Sequence, residues 1–136
     1  MRAFEEAEAE KQAEERRIFL EGTLNRRVIT NPTYDEQGKN PCDEGTRVDV
    51  LEDIIKWVND LSSDSQNFLW LTGDPGCGKS AVTASLAREC KNEDILWAQF
   101  FINRNNIETT NPNVYFPSIA WQLADRHPDV ECAIHH

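Results

Sequence analysis

A glycine-rich octapeptide, placed between an apolar run and a helix-forming segment, constrains the fold of this chain most. The octapeptide Gly73–Ser80 (GDPGCGKS) matches the Walker A pattern G-x-x-x-x-G-K-[ST] at every fixed position. It follows the apolar run Phe68–Thr72, which is too short for a helix and typical of a strand buried on both faces. It precedes Lys79–Lys91, whose apolar residues recur at helical spacing. A loop between a buried strand and a helix is the setting in which this pattern binds phosphate.

Each residue type in the loop suits that chemistry. The glycines permit positive φ and bring bare backbone close to an anion, and successive N–H groups at the start of the following helix point towards it. Lys79 would reach the β and γ phosphates, and the Ser80 hydroxyl would be one ligand of Mg²⁺. The expected cofactors are therefore ATP or GTP and Mg²⁺, and the expected binding residues in the loop are Gly73, Asp74, Pro75, Gly76, Cys77, Gly78, Lys79 and Ser80.

Nucleotide hydrolysis would need further groups, above all an acid at the end of another strand that holds the hydrated Mg²⁺. After Ser80, no Asp or Glu closes an apolar run of four or more residues. The second predicted strand, Ile95–Ile102, is followed by Arg104, which would lie at the edge of a parallel sheet where ligands bind. Arg104 is a candidate phosphate contact, although an ordinary surface arginine fits its spacing equally well. We assign no catalytic residue and expect hydrolysis to be weak or absent.

The remaining segments supply helices and a linker. Residues 1–21 are rich in Glu, Ala, Arg and Lys and lack Gly and Pro, which favours a solvated helix. Residues 31–45 contain four Gly or Pro breakers and predict a linker. Thr46–Asp49 has the form of a capping box that opens an amphipathic helix through Asn59.

The C-terminal part adds a polar loop, Asn103–Asn113, and a last helix from Pro117 to about Arg126, with Pro128 as its stop. The order helix, strand, helix, strand, helix predicts an α/β fold. We expect a partial P-loop parallel sheet of about two strands with flanking helices, preceded by an acidic N-terminal helix. The predicted organisation is solvated helix and linker over 1–45 and a truncated P-loop domain over 46–136.

Charge and cysteine spacing exclude several classes of protein. Lys and Arg total 14 against 24 Asp and Glu, and the net charge of -10 repels nucleic acids and anionic membranes. No apolar run approaches the length of a membrane span, and the N-terminus lacks the apolar core of a signal peptide, so we expect a cytoplasmic protein. The four cysteines are too far apart for C-x-x-C metal pairs, which predicts free thiols.

Several motifs together carry a resemblance to a known family. They are Gly45-Thr46-Arg47, the run Phe68–Gly73 leading into the loop, Phe100-Phe101 with Arg104, and Ile119–Ala124 followed by Pro128. Over roughly residues 42–130, this series resembles the N-terminal part of the NACHT-type P-loop NTPase domain in fungal proteins of the signal-transduction ATPase class. That class includes NOD-like receptors and nephrocystin-like N-terminal domains.

The resemblance implies a nucleotide-controlled switch that acts with further copies of itself or with other signalling proteins. It places Thr46 and Arg47 near the base or ribose. The family's next strand, which ends in acidic residues, should follow Pro128 but does not occur before His136, so we expect the nucleotide cradle without the complete machinery around it. Two alternatives remain open at this point. One is a small P-loop kinase, and the other is a truncated or non-catalytic interaction protein that makes its contacts through residues 1–21.

Overall fold

A computed structural model describes residues 1–24, 27–127 and 129–130 of the chain. Within these residues it contains α-helices and no β-strand. The helices are α1 (Arg2–Thr23), α2 (Val48–Val58), α3 (Lys79–Asn92), α4 (Ile107–Thr110) and α5 (Pro112–Arg126). The chain divides into two compact units, the first formed by Met1–Pro32 with Trp97–His136 and the second by Thr33–Leu96.

The predicted α/β fold is wrong for the part of the chain that the structure describes. Phe68 and Trp70 are each 86% exposed, so the run Phe68–Thr72 is not a strand buried on both faces. Its backbone makes no hydrogen bond to the backbone of any other described residue. A strand exists only through a ladder of hydrogen bonds to a neighbour, and an apolar run does not by itself specify that neighbour.

The second predicted strand, Ile95–Ile102, is also wrong, because a side chain takes the place of a strand neighbour. The Gln99 N–H donates to Gln122 Oε1 at 3.0 Å, and Gln122 Nε2 donates to the Gln99 carbonyl at 2.9 Å. A further backbone bond joins the Phe101 N–H to the Pro32 carbonyl at 2.8 Å. The segment therefore satisfies its backbone polar groups in part through α5, without forming a sheet.

The first compact unit contains α1, α4 and α5. The helix predicted over residues 1–21 is confirmed as α1, which is mostly exposed and buries Leu20. The predicted polar loop contains α4 instead, and α5 starts at Pro112 rather than Pro117. Asn106 and Asn111 cap the two helices by accepting from the backbone N–H two residues ahead, at 3.2 and 3.0 Å. The predicted stop at Pro128 lies outside the described residues.

The second compact unit contains α2 and α3, which pack against each other. The predicted helix after the glycine loop is confirmed as Lys79–Asn92, which buries small residues such as Ala84 and Ala87. The predicted capping box is wrong, because Arg47 is the N-cap of α2 and no side chain caps that helix. The Thr46 hydroxyl instead donates to the Asp43 carbonyl at 2.7 Å, within the turn before the helix.

None of the described helices is both long enough and apolar enough to cross a membrane. Of the four cysteines, Cys42, Cys77 and Cys90 are free thiols, as the sequence predicted. Cys132 and the two terminal histidines lie outside the described residues.

Candidate phosphate-binding loop

The glycines of the loop serve two different geometric needs. Gly76 and Gly78 adopt φ of 82° and 93°, the left-handed region in which a Cβ is strained. Gly73 instead provides space, because a Cβ there would lie 2.5 Å from Cys77 Sγ. The Cys77 side chain therefore turns back across the loop towards Gly73. Within the same loop, the Cys77 N–H donates to the Asp74 carbonyl at 3.1 Å and closes a turn.

Lys79 folds its side chain back over this turn. Its ammonium donates to the carbonyl oxygens of Gly73 at 2.6 Å and Asp74 at 2.8 Å, and lies 3.7 Å from Cys77 Sγ. An ammonium has three N–H donors, so all three are engaged within the loop. An anion that enters the loop would compete with neutral carbonyls and a thiol for the Lys79 charge.

The first turn of α3 offers backbone donors to such an anion. Gly78 is the N-cap, so no side chain caps the helix, and the first turn contains no acidic residue. The first N–H groups of any α-helix have no partner within the helix, and they carry the positive end of its dipole. The first helical residues are Lys79 and the exposed Ser80. An anion is therefore favoured at this end of α3.

Arg47 is brought to the same loop from the start of α2. Its Nη2 donates to the Cys77 carbonyl at 2.9 Å, and its backbone adopts a left-handed φ of 56°. The second cation at the loop is thus an arginine located 30 residues earlier in the sequence. The neighbouring Thr46 keeps its hydroxyl in its own turn. Arg104 is exposed in the first unit, and its assignment as a phosphate contact stays a prediction.

Few side chains of the loop could ligate a metal ion. No cluster of three or more His, Cys, Asp or Glu side chains with metal-site geometry exists among the described residues. The candidate oxygen ligands at the loop are the Ser80 hydroxyl and the Asp74 carboxylate, both exposed. Mg²⁺ usually keeps several waters and takes few protein ligands beside substrate phosphates. The loop therefore fits a Mg²⁺ ion that arrives with a phosphate ligand better than a resident metal centre.

Sequence reasoning missed the partners of Lys79 in the loop, which are backbone carbonyls. No residue type signals a carbonyl partner, because every residue carries one. Sequence reasoning also missed the contact of Arg47 with the Cys77 carbonyl, since the family resemblance places Arg47 near the base or ribose, which stays a prediction. A signal for the Cys77 contact was present, since a glycine at position 73 leaves space for a side chain from the same loop.

Comparison with known proteins places most of the chain in one family. Residues 45–136, about two thirds of the chain, match the family described as nephrocystin 3, N-terminal. The match begins just before α2 and includes the whole glycine loop. No curated protein and no solved structure matches the chain significantly.

Proposed function

This chain belongs to the nephrocystin 3 N-terminal family, and from that premise we propose that it binds ATP or GTP through the loop Gly73–Ser80. The binding unit would serve as the front part of a NACHT-type signalling switch. Hydrolysis would be weak or absent, because no acid is assigned to hold the hydrated Mg²⁺.

The observation that carries this proposal is the arrangement at the N-terminus of α3. The Lys79 ammonium and the Arg47 guanidinium both donate to carbonyl oxygens of one short loop, which leads into the uncapped first turn of α3. Two positive-φ glycines shape that loop. Cations and backbone donors converge there, which is the chemistry that recognises a phosphate chain.

Phosphate oxygens would replace the present partners of Lys79. The ammonium now donates to two neutral carbonyls, at 2.6 and 2.8 Å. A phosphate oxygen carries negative charge, so it adds an attraction between opposite charges that a neutral carbonyl cannot offer to the ammonium, and the phosphate would be the better acceptor. Local charge outweighs the net charge of -10, since distant exposed carboxylates are screened by salt.

The Ser80 hydroxyl, at the second position of α3, would hold a Mg²⁺ ion that accompanies the nucleotide. The ion would supply positive charge between the phosphates. Arg47 would orient the nucleotide from the side of α2, where it already donates to the Cys77 carbonyl.

The test is binding of a fluorescent ATP or GTP analogue to the wild type and to Lys79→Ala. Loss of one charged hydrogen-bond donor costs about 1.5–3 kcal/mol, so we expect roughly 10- to 140-fold weaker binding. Lys91→Ala is the matched control, because Lys91 is an exposed lysine in the last turn of the same helix. Equal affinity of the wild type and Lys79→Ala would contradict phosphate binding through this loop.

A further inference from the structure

A groove runs along the contact between α2 and α3. Two adjoining cavities form it, of about 460 and 280 Å³, and both are lined by Ile55 and Glu89. On the α2 side the lining extends from Thr46 to Asn59. The helix itself, α2 (Val48–Val58), spans about 16 Å at 1.5 Å per residue. We refer to the two cavities together as the α2–α3 groove.

The floor of the α2–α3 groove is apolar. Val48, Leu51 and Ile55 line it from α2, at the spacing i, i+3 and i+7 of one helix face. Val48 is 45% exposed, so packing against α3 leaves much of this row uncovered. From α3, burial raises the pKa of the Cys90 thiol and keeps that group neutral.

Polar groups on the floor are already engaged. The Ser85 hydroxyl is almost fully buried and accepts from the Cys42 N–H at 2.8 Å. The floor therefore offers an apolar surface rather than hydrogen-bonding groups to an occupant.

The rim of the α2–α3 groove is acidic. Five carboxylates line it, against two cations. The cations are already paired, Arg88 with Glu89 at 3.5 Å and Lys56 with Asp53 at 4.0 Å. In the part of the chain that the structure describes, the other rim carboxylates form no ion pair. These are Asp43, Glu44, Glu52 and Glu93.

We propose that the α2–α3 groove binds an amphipathic helix of a partner protein, with an apolar stripe flanked by Lys and Arg. The uncovered row on α2 forms one apolar helix face of the kind that packs against another helix, and the groove is long enough for about three turns. The acidic rim selects basic flanks. It disfavours α1 of a second copy, which carries seven Glu against four basic residues.

None of the residues 73–80 lines this groove, although Thr46, which the family resemblance places near the base or ribose, lies at one end of it. The test uses the full chain and a fluorescent helical peptide of about 14 residues. The peptide has leucines on one face and lysines on the other, and binding is followed by anisotropy. Two comparison peptides are a scramble of the same composition and a version with glutamate in place of lysine. We expect the first peptide to bind roughly tenfold more tightly than either comparison peptide.

Variants locate the binding site. Leu51→Ser and Val48→Ser should each weaken binding several-fold, and the exposed Val48 can be changed without loss of folding, as circular dichroism would verify. The double change Glu44→Lys with Glu52→Lys should weaken the lysine peptide and strengthen the glutamate peptide. The matched control reverses the charge of two exposed glutamates on α1, Glu6→Lys with Glu8→Lys. It should leave the affinity for the lysine peptide nearly unchanged.

Three outcomes would overturn the proposal. The first is equal binding of the scrambled peptide, which would indicate charge attraction alone. The second is an equal loss of affinity in the α1 control variant. The third is a comparable loss in Lys79→Ala, which would move the site to the glycine loop.

Discussion

Lys79 Nζ donates a 2.6 Å hydrogen bond to the carbonyl oxygen of Gly73, six residues earlier, so the first helical residue of α3 closes the loop that precedes it. The Lys79 ammonium therefore stabilises the loop through the same group that we propose binds the nucleotide phosphates. Binding of a phosphate would exchange one set of acceptors for another, and the ammonium would stay engaged throughout.

We predict that Lys79→Ala destabilises the protein even without nucleotide. The ammonium loses its bonds to Gly73 and Asp74, and a typical hydrogen bond contributes about 0.5–1.5 kcal/mol net, so we expect a loss of about 1 kcal/mol. Urea unfolding measures this change. Lys56→Ala is the control, because Lys56 is largely exposed and its ion pair with Asp53 is long, at 4.0 Å, and therefore weak. Unchanged stability of Lys79→Ala would show that the loop does not depend on this contact.

The close approach of Cys77 to Gly73 predicts an interaction between two substitutions. Gly73→Ala places a Cβ 2.5 Å from Cys77 Sγ, and because only the end of the Cys77 side chain has to move, we expect a cost of about 0.5–1.5 kcal/mol. In Cys77→Ala the sulfur is absent, so Gly73→Ala should then cost much less. A double-mutant cycle of unfolding free energies measures the difference. Gly22→Ala, in α1 with no atom near the new Cβ, should be neutral or stabilising.

Gln122 explains why a strand prediction was wrong and provides a third prediction. Gln122→Leu keeps a similar volume but removes the two hydrogen bonds that the Gln122 amide makes to the Gln99 N–H and carbonyl. Each lost hydrogen bond costs about 0.5–1.5 kcal/mol, so the pair amounts to about 1–3 kcal/mol. We expect a loss of this size in thermal or urea unfolding. Gln12→Leu, on the exposed surface of α1, should change stability little. A loss below a few tenths of a kcal/mol would show that water replaces the Gln122 amide.

The sequence predicted helices much better than strands, and the reason is physical. The helices α2 and α3 follow from apolar residues at helical spacing, a local pattern that the structure confirms. A strand depends on a distant partner, and the local run Phe68–Thr72 gave no information about it. The Gln122 side chain, which hydrogen-bonds the backbone N–H and carbonyl of Gln99, belongs to a residue 23 positions later in the sequence.

The start of α5 was a different kind of error, because its signal is local. Asn111 followed by Pro112 is the pattern of an N-cap with proline at the first helical position, and the structure uses both. The polar composition of Asn103–Asn113 obscured it. In the candidate site, the Walker A pattern predicts a role for Lys79 that stays a prediction, whereas the carbonyl partners of Lys79 and the Cys77 contact depend on the loop conformation.

The final prediction concerns pH and rests on Cys90. Burial raises the pKa of this thiol in the folded chain above its ordinary value. The folded state therefore keeps the proton at pH values where the unfolded chain begins to lose it, so the contribution of Cys90 to stability falls as pH rises past the ordinary thiol pKa. Unfolding free energies between neutral and alkaline pH should fall less steeply in Cys90→Ala than in the wild type. Cys42→Ala, which leaves the Cys90 thiol in place, should keep the wild-type slope.

In the folded protein, Cys90 should also react with iodoacetamide more slowly than Cys42 or Cys77, because it is buried and protonated. Identical pH slopes for the wild type and Cys90→Ala, or fast alkylation of Cys90, would contradict this account.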